Sequence, residues 1–228
     1  MKLSTRNNIA PTLHDRAYER LKSALMTSAF PPGHKVTIRG CADALGMSTT
    51  PIRTAINRLV TEGALEMPSS RTVRVPIPTI EHLQEVTQLR LLMEPMATKA
   101  AVLRIDESTL QKLENNQIQM ASAAARSDFK EYLALNGAFH FTLYEASQML
   151  VLCRIIETLW QQVGPYLYLL EPSMRGIEFH AEALRAIRSG NADAAAAAIH
   201  SDIRRAADHL MAMLAKEPAA ATTEPADT

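Results

Sequence analysis

Apolar residues recur at helical spacing in the first third of the chain, and residues that favour turns separate them. Thr37 is a suitable N-cap for a helix over Ile38 to Leu45, and Gly46 can end that helix because glycine accepts the left-handed conformation. Before it, a longer helix is predicted over 13–28. Its apolar side would be formed by Leu13, Ala17, Leu21 and Leu25.

A third short helix is predicted directly after this turn. Ser48 can cap it, and Pro51 falls in its first turn, where the missing N–H has no cost. The predicted inward stripe is Ile52, Ala55, Ile56 and Leu59. The predicted outward face is polar and carries Thr49, Thr50, Arg53, Thr54 and Asn57.

A β-hairpin is predicted where this helix stops at Gly63. Leu65 to Met67 and Thr72 to Val75 read as two short strands around the turn Pro68-Ser69-Ser70-Arg71. Three helices followed by a hairpin make a winged helix-turn-helix over 13–76, an arrangement that favours DNA binding. The alternative is a helix-turn-helix that contacts only proteins.

The remainder of the chain is predicted to be entirely helical, so that the fold as a whole is mainly α. Residues 77–79 form a linker in which Thr79 caps the next helix, and residues 80–215 form an all-α six-helix bundle. The first 12 residues are predicted to be flexible, and residues 216–228 to be a disordered tail. The predicted helices span 80–104, 107–126, 128–146, 148–170, 174–189 and 191–215.

Charge divides the chain at the same boundary. Residues 1–76 hold eleven Lys/Arg against five Asp/Glu, whereas residues 77–228 hold thirteen against nineteen, although the whole chain is neutral. A basic front half suits the phosphates of DNA, and an acidic remainder does not. Two cysteines in different halves supply neither a disulfide framework nor a cysteine-rich zinc site. We find no signal peptide or membrane-length apolar run, and expect a cytoplasmic protein without membrane contact.

Several polar residues of the predicted bundle fall where helical geometry requires apolar ones. Projection at the helical period points Asn136 and His140 inward on one helix, and does the same for His180 and Arg90 on two others. On the last helix Asp202 lies inside the apolar stripe and His200 only at its edge, so we prefer Asp202. Polar groups buried in this way need partners or a ligand.

Two imidazoles with oxygen donors suit one divalent transition metal such as Zn, Ni or Mn, with positions left open for another ligand. Asn136, His140, His180 and Asp202 are the predicted metal ligands. Arg90 could bind a carboxylate oxygen that the metal leaves free. The alternative is an internal hydrogen-bond network that binds no ligand.

The first half resembles the winged-helix domain of the GntR family. The resemblance rests on Leu45 to Ala55, LGMSTTPIRTA, followed by Leu59 and Glu62-Gly63. It implies that Arg39, Arg53 and Arg71 contact DNA. We extend the predicted DNA-binding set to Ser48, Thr49, Thr50 and Asn57. Thr49, Thr54 and Thr72 depart from the residues usual in the family, which predicts an altered operator preference.

The second half resembles the FCD effector domain of the FadR subfamily. The matching elements are Arg90 to Glu94, Asn136 to His140, and His180 followed by Gly190; Leu159 to Tyr166 is similar to the branch of the vanillate regulator. Such proteins are homodimeric transcription regulators that bind small carboxylates, often through a metal held by an Asp or Asn and three His. Asp202 stands where the last of these histidines is usual. The resemblance adds Glu94 and Tyr166 to Arg90 and Asn136 as effector-binding residues.

The function this predicts is transcriptional regulation. A homodimer would bind a roughly palindromic double-stranded operator, and a small carboxylate metabolite, with or without a metal, would control the affinity. One alternative is a DNA-binding regulator whose helical domain is structural. A metal-dependent helical enzyme is another, but the chain has no HExxH motif and no pair of Glu-x-x-His motifs.

Overall fold

The protein is described here by a computed structural model covering residues 11–27, 29–69, 71–170 and 176–216. Within these ranges it forms nine α-helices and one two-stranded hairpin. The helices are α1 (Leu13–Met26), α2 (Ile38–Leu45), α3 (Thr49–Thr61), α4 (Ile80–Val102), α5 (Glu107–Ala125), α6 (Phe129–Ala146), α7 (Leu150–Leu167), α8 (Ile177–Arg188) and α9 (Ala192–Lys216), and the strands are β1 (Glu66–Ser69) and β2 (Thr72–Arg74).

Local capping sets the boundaries of the helix-turn-helix. The Thr37 hydroxyl accepts from the Gly40 N–H at 3.1 Å, and Gly46 ends α2 with φ of 62°, as predicted. Ser48 does occupy the N-cap position of α3, but its side chain makes no capping hydrogen bond. The predicted N-cap position of Ser48 is therefore confirmed, although the hydroxyl does not stabilise the helix end.

The core of the DNA-binding domain lies between α1, α2 and α3. The predicted stripe of α3 is confirmed, since Ile52 and Leu59 are completely buried. On α1, the prediction fails for Leu13, which is 60% exposed. Leu13 is the first residue of α1, one turn before the residues that pack in this core.

The hairpin is tighter than predicted. Glu66 pairs with Arg74 and Ser69 with Thr72, so β1 includes Pro68, which was assigned to the turn. Proline is tolerated there because each strand of a two-stranded sheet has an open edge. Ser70, also assigned to the turn, lies outside the described residues.

The second domain is built around α4. This helix packs against α6, α7 and α9, while α5 packs against α6 and α8, and α8 against α9. The domain core comprises buried residues of all six helices, among them Leu113, Phe139, Trp160 and Ile199. This arrangement directs one side each of α4, α6, α7, α8 and α9 toward a common interior.

The ends of some predicted segments shift or cannot be compared. The helix predicted over 148–170 spans only Leu150–Leu167, and residues 174–175 of the next predicted helix lie outside the described residues. Residues 1–10 and 217–228 are also outside, whereas Thr12 caps α1 and Lys216 is helical rather than part of the tail. In the part of the chain that is described, no helix has the length and apolarity to cross a membrane.

Candidate metal centre and nucleic-acid interface

Three of the predicted metal ligands converge inside the helical domain. His140 of α6 and His180 of α8 place their Nε2 atoms 3.1 Å apart. Asp202 Oδ2 of α9 lies 3.3 Å from His140 Nε2 and 3.7 Å from His180 Nε2. Ligands bound tetrahedrally at about 2.1 Å would lie about 3.4 Å apart, so the three atoms are spaced as a small divalent ion requires.

A hydrogen-bond chain fixes which nitrogen of His140 carries the proton. Burial first, and then the charge of Glu94, raise the pKa of Tyr144 well above its ordinary value. Tyr144 therefore keeps its proton and donates a hydrogen bond to Glu94 Oε2. The Tyr144 oxygen, 2.8 Å from His140 Nδ1, therefore accepts from that nitrogen. His140 Nε2 is left as a bare acceptor that faces the cluster.

The protonation of the cluster also suits a cation. Burial lowers the pKa of His140, which favours the neutral imidazole that binds metals. Burial opposes ionisation of Asp202, but the neighbouring imidazoles, that of His180 first, hold its pKa below the ordinary value. An anionic carboxylate and a bare imidazole nitrogen thus converge on one point.

A second buried group supports this cluster. Glu94 is completely buried, and its Oε1 accepts from Arg90 Nε at 2.6 Å and from Trp160 Nε1 at 3.1 Å, while Tyr144 donates to Oε2. Glu94 does not line the cavity beside the cluster. This predicted effector-binding residue therefore binds Arg90 and Trp160, which do line the cavity, and holds their side chains in position.

The cavity itself is small. Its volume is about 30 Å³, which is enough for an ion or a water molecule. Gly176 closes one side, since a Cβ built there would fall 1.6 Å from Asp202 Oδ1. Any larger residue would displace the carboxylate. The lining residues with polar side chains are Arg90, Tyr132, Asn136, His140, Trp160 and Asp202.

Tyr166, like Glu94, is a predicted effector-binding residue that does not line the cavity. It packs with Leu83 and Leu210, and its hydroxyl donates to the Pro76 carbonyl at 3.4 Å. Six residues separate it from Trp160, which amounts to a rotation of roughly 120° around a helix. Trp160 therefore reaches the cavity and Tyr166 faces the linker.

Sequence reasoning missed three residues of this centre. Tyr144 lies one turn after His140, so its spacing could have shown that the two side chains meet. Trp160 is the only tryptophan of the chain, and it was noted only as part of a family resemblance. No pattern in the sequence indicates Gly176, because the need for glycine comes from Asp202, a residue distant in the chain.

The predicted DNA-binding residues are all exposed in the first domain. Thr49, Thr50, Arg53 and Asn57 are exposed on α3, opposite its buried stripe. Arg39 is exposed on α2, Ser48 at the start of α3 and Arg71 directly before β2. The helix, turn and wing thus present hydroxyl, amide and guanidinium groups to solvent.

A winged helix-turn-helix joined to an all-helical domain is an arrangement typical of a DNA-binding transcriptional regulator. Family models agree: residues 13–75 match the bacterial regulatory proteins of the gntR family, and residues 85–205 match the FCD domain. The chain belongs to the GntR family and carries an FCD domain. Members of this family and the relatives found are transcriptional regulators, not enzymes.

Individual relatives support the same assignment. The chain is 32% identical over 158 residues to the HTH-type transcriptional regulator McbR of Escherichia coli K12, covering 69% of this chain and 72% of McbR. The solved structure of E. coli McbR/YncC matches with a TM-score of 0.82 at 28% identity, over 89% of this chain and 98% of that one. A GntR regulator structure from Rhodococcus sp. RHA1 matches in fold alone, with a TM-score of 0.71 at 18% identity over 87% and 97% of the two chains.

Proposed function

We propose that this protein is a transcriptional regulator whose affinity for its operator is controlled by a ligand bound in the FCD domain. The observation that carries the proposal is the convergence of His140, His180 and Asp202 inside the helical domain, beside a small cavity that His140 and Asp202 line. Regulation of transcription follows from the family, whereas control by a ligand is our inference from this site.

The first component of the ligand is a divalent metal ion. His140, His180 and Asp202 supply two nitrogens and one oxygen, and Asn136 on the cavity wall would supply a fourth donor. Zn, Ni and Mn are all compatible with this set. Aspartate in place of a third imidazole should weaken the affinity for the softer ions among them.

The second component is a small carboxylate. Arg90 uses Nε to bind Glu94, and Arg90 also lines the cavity, so its terminal nitrogens are the groups that would meet a ligand carboxylate. A cavity of about 30 Å³ is too small for such a metabolite together with a metal. Its walls must therefore move when the metabolite binds, which would connect binding to a change in shape.

The assignment to the branch of the vanillate regulator also stays a prediction.

The output is binding of an operator by a homodimer. Two copies would place their α3 helices in successive major grooves of a roughly palindromic duplex. Arg39, Arg71 and Ser48 would meet phosphates, whereas Thr49, Thr50, Arg53 and Asn57 would meet base edges. Sedimentation at micromolar concentration should give the mass of two chains, and a monomer mass would contradict this arrangement.

Thermal unfolding with added zinc tests the ligand site. Zinc at one hundred times its dissociation constant should stabilise the wild type by about 2.7 kcal/mol. The increment should disappear in His180→Ala and persist in His200→Ala, which removes a histidine that the cluster does not use. No zinc increment in the wild type would favour a structural, effector-free domain. A range of small carboxylates added with zinc then tests the second component.

A further inference from the structure

The DNA-binding domain and the FCD domain meet along two matched helix faces. On α1, three residues at intervals of four share one face, and on α7 three residues at intervals of four and three do the same. These faces make direct contact. The α1 residues are Tyr18, Lys22 and Met26, and the α7 residues are Glu157, Gln161 and Gly164.

A buried lysine forms the charged contact between the faces. Lys22 is 6% exposed, and lysine is almost never buried unless it is paired. Its Nζ lies 2.6 Å from Glu19 Oε2 on the same helix and 2.8 Å from Glu157 Oε1 on α7. The second contact is an ion pair between the two domains.

The absence of a side chain at Gly164 sets the distance between the helices. A Cβ built at Gly164 would fall 2.8 Å from Met26 Cα and 2.9 Å from the Leu25 carbonyl oxygen. Both are backbone atoms, which cannot rotate away. Glycine therefore allows α7 to approach the end of α1 more closely than any other residue would.

Two adjacent glutamines connect α7 to the end of α3, the predicted DNA-recognition helix. Gln161 Nε2 lies 3.5 Å from the Tyr18 hydroxyl, which donates to Glu62 Oε2 at 2.7 Å. Gln162 Nε2 donates to the Glu62 carbonyl at 3.2 Å. Glu62 is the C-cap of α3, and Arg58 pairs with it and stacks on Tyr18. A displacement of α7 would thus act on the helix that reads DNA.

The same α7 helix also forms part of the cavity wall. Trp160, which directly precedes Gln161, lines the cavity and donates to Glu94. Its ring also lies under the Arg90 guanidinium, with the central carbon 4.9 Å from the ring centroid. Only one helix therefore separates the candidate ligand site from the contact with α1 and α3.

We propose that the α1–α7 interface couples the two domains, so that a shift of Trp160 at the cavity and a shift of the recognition helix occur together. Close-packed interiors transmit small displacements between rigid elements because they do not deform continuously. The partner of this α7 surface is the DNA-binding domain of the same chain. That a ligand drives the shift rests on the proposed function; the coupling itself does not.

Fluorescence of Trp160 tests the coupling without any metal. As the only tryptophan, it reports on the cavity alone. The probe is a duplex selected from a random-sequence pool by the wild-type protein. Binding of this duplex should change the emission of Trp160 in the wild type. The change should be lost in Lys22→Met and in Gly164→Ala, assayed at saturating duplex, and kept in Thr158→Ala, whose hydroxyl bonds only within α7 to Arg154.

Two results would overturn the coupling. One is a wild-type emission that does not respond to the duplex, and the other is an equal response in the wild type and in Lys22→Met. Lys22→Met keeps the apolar stem and leaves Glu19 and Glu157 partly exposed, so a folded protein is expected even if Gly164→Ala is unstable. Failure of zinc to bind would contradict the proposed function but would not alter this readout, which separates the two failures.

Discussion

The recognition helix α3 and the cluster around Glu94 both carry polar side chains, but those of α3 are exposed to solvent and those of the cluster are buried. On α3, Thr49, Arg53 and Asn57 are exposed, and an apolar stripe on the other side of the helix fixes its position. Around Glu94, three donors converge on a carboxylate that has no exposed surface. The polar residues of α3 are free to contact a partner outside the chain, as proposed for DNA, whereas those of the cluster are constrained by one another. Substitutions should accordingly cost binding in the first region and folding in the second.

The largest expected effect is on folding. Glu94→Gln leaves Arg90 buried without its ionic partner, and breaking a buried pair typically costs about 3 to 5 kcal/mol. Urea unfolding should show a loss of this size. Glu131→Gln, which breaks the exposed pair with Arg126, is the matched control and should cost less than about 1 kcal/mol. Equal losses in the two variants would contradict the claim that burial makes the Glu94 cluster essential for folding.

The next effect is on DNA binding. Arg53→Ala should weaken binding of the selected duplex by about 1 to 3 kcal/mol and relax base choice at one position. Its free energy of unfolding should change by no more than about 0.5 kcal/mol, because Arg53 is exposed. Titrations against the selected duplex and a random duplex measure both properties. Unchanged affinity for both duplexes would show that Arg53 does not read bases.

The smallest effects separate the two N-caps of the helix-turn-helix. Thr37→Ala removes a capping bond to Gly40 and should destabilise by about 1 kcal/mol. Ser48→Ala removes a hydroxyl that makes no such bond, so its stability should change by less than about 0.5 kcal/mol while its DNA affinity falls. A larger loss of stability in Ser48→Ala than in Thr37→Ala would show that Ser48 is structural after all.

The same comparison explains how far the sequence predicted the structure. Local signals were sufficient for α2, whose limits at Ile38, Leu45 and Gly46 match the prediction, and for the exposed face of α3. Helical periodicity also selected Asp202 over His200, because buried residues from Ala195 to Leu210 form a stripe along α9. These features depend on residues near one another in the chain.

Other features depend on distant residues and were not predictable in the same way. Periodicity indicated that Glu94 lies near Arg90, but not that Tyr144 and Trp160 would bind the same carboxylate. It gave no sign that Lys22 would be buried by another domain. Tyr166 was placed at the cavity by family resemblance, whereas its rotation around α7 directs it to Pro76. The contacts between elements decide these cases.

The central prediction is that a ligand bound at the buried site controls the DNA affinity of α3 and the hairpin. The most direct measurement is the affinity of the selected duplex with zinc and with a chelator, for the wild type and for Asp202→Asn. We predict that zinc changes the wild-type dissociation constant by about 5- to 150-fold, the usual range for coupled sites, and that Asp202→Asn reduces the ratio to about one. A wild-type ratio of one, or the same ratio in both proteins, would contradict the claim.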